Sequence, residues 1–257
     1  GMNAVSIFIY RQSLEAPNLL DLLRRLDKLG LKANLALRPG TPLEFLPYDM
    51  EDLVRYYRLG EHDCIFIYDM AWEPMFGNHK DRRVWDEAWR NWVVERYGSL
   101  EAAEADWGFV APRGEDGAFS NPLDHHTVGD GEWRVMVAAY RRFLDTLLYE
   151  KYSQARAFMK AMAPHQSVSF RMTEAGNPTF RWGQRIPFDY AYLGGAADAF
   201  EPEAYGRIGD WEKVKPGWFT RPYGRWANPE LPLFWAEGGV NAWVLSRMEA
   251  TPDSLAY

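Results

Sequence analysis

The stretch Leu19-Leu-Asp-Leu-Leu-Arg-Arg-Leu-Asp-Lys-Leu29, followed by Gly30-Leu31 and then by Lys32-Ala-Asn-Leu-Ala-Leu37, decides the fold class. Leu19, Leu22, Leu23, Leu26 and Leu29 recur at the spacing of one helical face. Gly30 stands where a helix end favours a residue that tolerates positive φ. The six residues from Lys32 form a short strand, closed by Arg38-Pro39-Gly40. Upstream, Ala4-Val-Ser-Ile-Phe-Ile-Tyr10 is a β-branched and aromatic run with the pattern of a buried strand. Downstream, a short helix over about 49–58 leads to Cys64-Ile-Phe-Ile-Tyr68, a third strand. Strand, helix, strand, helix, strand with short links predicts a parallel sheet covered by helices.

The pattern continues outward. A long helix is expected from Arg82 to Tyr97, with Trp85, Trp89, Trp92, Val93 and Arg96 along one side, a spacing that speaks for helix packing rather than ligand contact. Residues 108–131 are rich in Gly, Pro, Asp and Asn and read as an extended loop that helps to form a substrate pocket. Glu132 to Ala163 reads as one amphipathic helix or two joined end to end. Ser167 to Met172 is a fourth strand, an irregular fifth lies within Phe188 to Tyr205, and Leu231 to Ala236 is a sixth. No repeat or low-complexity tract interrupts the alternation, so a single domain over 1–257 is expected, with an insertion at about 108–131.

Composition narrows the function. The chain has 257 residues with a net charge of −7, and its acidic balance argues against nucleic acid or an anionic membrane as partner. No apolar run approaches the roughly 20 residues of a membrane helix. Cys64 is the only cysteine, which excludes an internal disulfide and a Cys-based zinc site. Asp124-His125-His126 invites a metal reading, but His62, His79 and His165 fall in unrelated places, so neither metal nor other cofactor is expected. Gly1 before Met2 reads as a tag scar, and no secretory leader follows, which favours the cytoplasm if Met2 is a true start. Thr251-Pro252-Asp253-Ser254-Leu255 looks like a helix start cut short at Tyr257, so the chain is expected to be part of a longer parent. Nothing in the sequence speaks to oligomeric state. Aromatic residues make up 16% of the chain, and flat rings with a polar edge suit sugar faces as well as protein cores.

Three of the strands end in an acid and a turn. They read Tyr68-Asp69-Met70-Ala71-Trp72-Glu73-Pro74, Met172-Thr173-Glu174-Ala175-Gly176 and Phe234-Trp235-Ala236-Glu237-Gly238-Gly239. In a parallel barrel the chemistry sits at this C-terminal rim, where a carboxyl beside Trp is partly desolvated and its pKa raised. Glycoside hydrolysis needs two such carboxyls, one to protonate the leaving oxygen and one to attack the anomeric carbon or activate water. Glu73 and Glu237 are the pair that closure of a barrel would bring onto one rim. The plainer alternative is that each caps a helix or pairs with an arginine. Trp72, Trp235 and Trp243 stand beside these acids, as sugar-stacking rings or as barrel-top core. Glu201-Pro202, near another strand end, reads as a substrate contact or, more simply, as a solvent-exposed pair, and the exposed reading is the one expected.

These residues resemble a known family. Trp72-Glu73-Pro74 after a strand resembles the Asn-Glu-Pro motif that carries the acid/base in the clan of retaining (β/α)8 glycosidases. Phe234-Trp-Ala-Glu237-Gly-Gly resembles the later strand whose terminal Glu is the nucleophile. Arg96-Tyr97-Gly98-Ser99-Leu100-Glu101 with Asp106-Trp107-Gly108 is similar to the segment that follows the acid/base strand in family 42 β-galactosidases. The resemblance implies a TIM-type (β/α)8 barrel that takes a carbohydrate substrate, with Glu73 as acid/base and Glu237 as nucleophile. Arg11 or Arg38 would support the nucleophile, one of Tyr190, Tyr192 and Tyr205 would touch it, and Trp72, Glu174 and Trp235 would contact substrate. Two departures stand out. Glu73 and Glu237 fall on the third and sixth strands here, against the fourth and seventh in the clan, so the first and last strands of a full barrel are not evident. Trp72 replaces an Asn that binds the sugar 2-hydroxyl, and indole donates only one hydrogen bond. That leaves a catalytically impaired, carbohydrate-binding barrel as the alternative.

Overall fold

The computed structural model describes residues 3–9, 16–37, 43, 47–71, 75–172, 190–205, 221–234 and 237–239. They group into two compact units, one of 1–74, 149–180 and 189–257, the other of 75–148 and 181–188.

The first unit is built on a six-stranded parallel sheet: β1 (Ala4–Ile9), β2 (Lys32–Leu37), β3 (Ile65–Asp69), β4 (Ser167–Met172), β5 (Ala199–Tyr205) and β6 (Glu237–Gly239). Its spatial order follows the chain, β1-β2-β3-β4-β5-β6, and every pair is parallel. A doubly wound sheet reverses direction at a switch point; an order that never reverses is that of a barrel wall. Helices α1 (Ala16–Leu29) and α2 (Pro47–Tyr56) fill the first two crossovers, and residues 221–227 are helical before β6.

Local signals explain these elements. In α1, Leu19, Leu23 and Leu26 are buried, whereas Leu22 and Leu29 face outward, so the buried stripe is narrower than five leucines. Gly30 ends the helix at φ +65°, and the Leu31 amide donates back to the Leu26 carbonyl at 2.9 Å. The sixth strand differs from expectation. Leu233 makes only an isolated parallel bridge to Phe200, and the regular pairing begins at Glu237, opposite Glu203.

The sheet curls. Adjacent strands lie about 4.8 Å apart, so in a flat sheet residues three strands apart would sit about 14 Å from each other. Yet the Asn34 amide on β2 reaches Glu201 on β5 at 2.7 Å, and the Arg171 guanidinium on β4 lies 4.6 Å from the Phe8 ring centre on β1. Only a concave face allows such contacts, so these six strands form a partial (β/α) barrel. The outer face is apolar: Val168, Phe170 and Met172 of β4 are buried, and Phe170 stacks on Tyr152 with ring centres 3.8 Å apart.

The second unit is helical: α3 (His79–Arg82), α4 (Asp86–Tyr97), α5 (Leu100–Trp107), α6 (Asp124–Val128) and the start of α7 (Arg134–Met162), whose later part belongs to the first unit. The expected helix from Arg82 to Tyr97 is thus broken, because Asn78 caps α3 in a box with Asp81 and a 3-10 turn at Arg83–Trp85 precedes α4. Trp89 is fully buried, stacked on Trp92 and Trp107 and edge-on to Tyr140, as helix packing required. The expected loop at 108–131 holds α6 and a bridge between Arg113 and Phe119. Its Asn121 is fastened to Asp86 by two hydrogen bonds, 3.0 and 2.7 Å long. Asp124, His125 and His126 are engaged structurally: Asp124 accepts from the His79 amide and pairs with Arg82, and His126 lies against His125 and Trp133. Among the described residues no group of His, Cys, Asp and Glu is placed to hold a metal, and no helix is long and apolar enough to cross a membrane.

Replacing Trp89 by Ala removes the ring on which this aromatic cluster converges. Urea unfolding should show a loss of about 3–5 kcal/mol, the usual cost of a large core aromatic.

Candidate active site

Side chains alternate across a strand, and the parallel register then sorts the whole sheet into two faces. Ser6 and Phe8 align with Asn34 and Ala36, Ala36 with Asp69, Asp69 with Ser169, Arg171 with Glu201, and Glu203 with Glu237. All these positions share the concave face. A bulge in β3 opposite Ala33/Asn34 sets its upper half in phase, so that Ile67 and Asp69 join this face. The concave face of this chain therefore mixes the polar Ser6, Asn34, Asp69, Ser169, Arg171 and Glu201 with the apolar Phe8, Ala36 and Ile67, where the outer face is apolar.

Five of them form two sets of contacts, Asp69 with Arg171, and Glu201 with Asn34 and Ser169. Asp69 ends β3; its Oδ1 accepts the backbone amides of Arg171 at 2.9 Å and Ala71 at 3.2 Å, and its Oδ2 lies 3.1 Å from the Arg171 guanidinium. Glu201 accepts from Asn34 through Oε2 at 2.7 Å and is hydrogen-bonded to the Ser169 hydroxyl through Oε1. Ser169 also lies 3.4 Å from the Tyr68 carbonyl oxygen. Glu201 is 0% exposed, and Asp69 and Arg171 are 1% exposed each. The expectation of an exposed Glu201-Pro202 is overturned, because β5 extends through both residues and turns Glu201 inward.

The environment splits two carboxyls of neighbouring positions. Burial pushes Glu201 well above the ordinary carboxylate range, the Asp69 charge adds to this, and hydrogen bonds from Ser169 and Asn34 with the Arg171 charge oppose it. Asp198, just before β5, goes the other way. Burial alone would raise it, but hydrogen bonds from Arg156, the Val168 amide and Lys160 outweigh that and hold it below its usual value. Arg156 and Lys160 of α7 thereby anchor the N-terminal end of β5, opposite to the rim where Asp69 lies.

The structure places the sequence-derived candidates unevenly. Glu237 is the first residue of β6, in register with Glu203. Tyr205 closes β5 at the same end. Tyr192 lies in a 3-10 turn, 52% exposed. Glu73 and Trp72 follow the described Ala71 directly and, with Arg11, Arg38, Glu174, Trp235 and Trp243, lie outside the described residues.

Over 238 residues the chain is 26% identical to β-galactosidase BbgII of Bifidobacterium bifidum, covering 86% of this chain and 34% of that protein. A GH42 β-galactosidase from G. stearothermophilus superposes with a TM-score of 0.64 at 15% identity, over 92% of this chain and 41% of the other. The catalytic domain of a β-amylase from Paenibacillus polymyxa gives 0.66 at 10% identity, over 91% and 78%. These likenesses show the fold, a TIM-type (β/α) barrel of which six strands are described here. No protein-family model matches the sequence. The chain spans about a third of the length of the curated relative it matches.

Asn34, Ser169 and Arg171 are not among the sequence-derived candidates, and Glu201 is read there as exposed, although the sequence carries a signal for their inward placement. Ser167-Val-Ser-Phe-Arg-Met172 alternates polar and apolar residues, and so does Ala199-Phe-Glu-Pro-Glu-Ala-Tyr205. In a strand wedged between helices and a barrel axis, that period marks a polar interior.

Because Asp69 and Arg171 are both buried, removing either partner strands the other charge. Arg171→Leu and Asp69→Leu should each cost about 3–5 kcal/mol by urea unfolding, while the double variant costs clearly less than the sum.

Proposed function

We propose that the chain is a retaining glycoside hydrolase of the β-galactosidase type, with Glu73 as general acid/base and Glu237 as nucleophile. The observation that carries this reading is that Glu237 opens β6 in the same parallel sheet whose β3 ends at Asp69, just ahead of Trp72-Glu73 in the sequence. The likeness to β-galactosidases over most of the chain supports it.

In this reading a β-galactoside enters the rim with its anomeric carbon toward Glu237. Glu73 protonates the glycosidic oxygen as the C–O bond breaks, and the Glu237 carboxylate forms the glycosyl ester. Glu73, now a carboxylate, then takes a proton from water as the water attacks the anomeric carbon; the bond from that carbon to the Glu237 oxygen breaks, Glu237 is released as a carboxylate, and the sugar leaves with its configuration retained. Arg11 or Arg38 keeps Glu237 ionised, and Trp72, Trp235, Glu174, Tyr192 and Tyr205 are the substrate contacts. The substrate is a carbohydrate; no cofactor, nucleic acid or membrane takes part.

Trp72 supports a second reading, a barrel that binds sugar without cleaving it, since the indole lacks the paired donor and acceptor of the Asn it replaces. Hydrolysis of an aryl β-galactoside decides between them. The wild-type chain should turn over, and Glu73→Gln and Glu237→Gln should each lower kcat by about 10²–10⁴-fold or more. Calorimetric binding of galactose without any turnover, together with activity gained by Trp72→Asn, would favour the binding barrel instead.

A further inference from the structure

We propose that Glu201 is a positioning residue that clasps β2 and β4 to β5 across the barrel axis, and so sets the Asp69–Arg171 pair at the end of the strand leading into Trp72-Glu73. The proposal rests on the glycosidase reading only for its catalytic consequence; the clasp itself stands on geometry. Glu201 touches Asn34 of β2 and Ser169 of β4 at once, with an oxygen for each.

The hydrogen-bond pattern defines which form of Glu201 the clasp needs. Ser169 carries a single hydroxyl proton, yet two oxygens compete for it, Glu201 Oε1 and the Tyr68 carbonyl. A protonated Glu201 resolves this: its O–H donates to Ser169 Oγ, Ser169 donates to Tyr68, and the other carboxyl oxygen still accepts from Asn34. Charge balance points the same way. Among the described residues of this cluster, Arg171 is one cation facing two carboxyls, and Ser6, Asn34 and Ser169 bring no charge. With Glu201 uncharged, Arg171 is left to Asp69, whose other oxygen holds the amides of Ala71 and Arg171. An ionised Glu201 would instead compete for Arg171 and repel Asp69, loosening the turn two residues before Glu73. Burial and the neighbouring Asp69 favour the protonated form, against Asn34, Ser169 and Arg171. Glu203 and Glu237 occupy the same face nearer the rim by register.

The sign of the linkage follows. A carboxyl whose proton is held more tightly in the folded than in the unfolded chain stabilises the fold fully below the ordinary carboxylate pKa, and that contribution is lost as pH rises through the folded value. Glutamine reproduces the neutral acid, since its amide donates to Ser169 and its carbonyl accepts from Asn34.

The test compares wild type, Glu201→Gln and Glu201→Leu in the whole chain. Infrared difference spectra between wild type and Glu201→Gln at neutral pH should show the carbonyl stretch of a protonated carboxyl. The melting temperature of wild type should fall relative to Glu201→Gln as pH is raised from about 5 to about 9. On an aryl β-galactoside, Glu201→Leu should lower kcat about tenfold or more with KM changed less than about threefold, and Glu201→Gln should restore most of the loss. No protonated-carboxyl band, parallel melting curves, or a Gln variant as damaged as Leu would each overturn the proposal. So would a Leu variant that is destabilised but keeps the wild-type kcat. If Glu201→Leu does not fold, the spectra, the melting curves and the Gln variant still decide. If wild type is inert toward every glycoside, the hydrolase reading fails, and the spectra and melting curves alone judge the clasp.

Discussion

A hydrogen bond from Asn34 to Glu201 spans three strands of one sheet, and much else depends on the curvature that makes it possible. Curvature turns one face of the sheet into an enclosed axis and leaves the other for helices. Groups on that axis lose water, so each must find its partner across the barrel rather than along its own strand. Asn34, Asp69, Ser169, Arg171 and Glu201 do this with hydrogen bonds, an ion pair and a proton held on a carboxyl. A parallel barrel with a polar interior is a more specific object than one filled with aliphatic layers, because a one-residue slip of any strand would aim its charges at the apolar helices.

The network also connects the scaffold with the chemistry proposed for it. Asp69 is both the last residue of β3 and the acceptor for the first amide beyond Met70. Its carboxylate therefore fixes the direction in which the chain leaves the sheet, immediately ahead of Trp72-Glu73. At the other end of the sheet, Asp198 binds α7 through Arg156 and Lys160 and takes the Val168 amide. Two carboxyls only three residues apart, Asp198 just before β5 and Glu201 within it, thus perform different work: the first anchors α7 among cations, the second is buried against Asn34 and Ser169.

The helical unit shows a different economy of side chains. Trp89 gathers Trp92, Trp107, Phe119, Tyr140 and Phe143 about itself, so a share of the aromatic excess that suggests sugar binding belongs to a protein core. The polar residues of the 120s segment are absorbed likewise, Asn121 by Asp86 and Asp124 by Arg82 and the His79 amide. A five-residue helix such as α6 is too short to leave a period in the sequence, which is why 108–131 reads as plain loop.

Taken alone, the amino-acid order determined the parallel α/β class, the first four strands, and the helical stacking of Trp89 and Trp92. Each of these follows from local periodicity or from punctuation such as Gly30, whose effect reaches only a few residues along the chain. What only the tertiary structure decided was which polar side chains share the barrel axis. Glu201 and Asn34 are 167 positions apart, and nothing near either announces the other. Their meeting is set by strand order, by a bulge in β3 and by the curl of the sheet, properties of all the strands together.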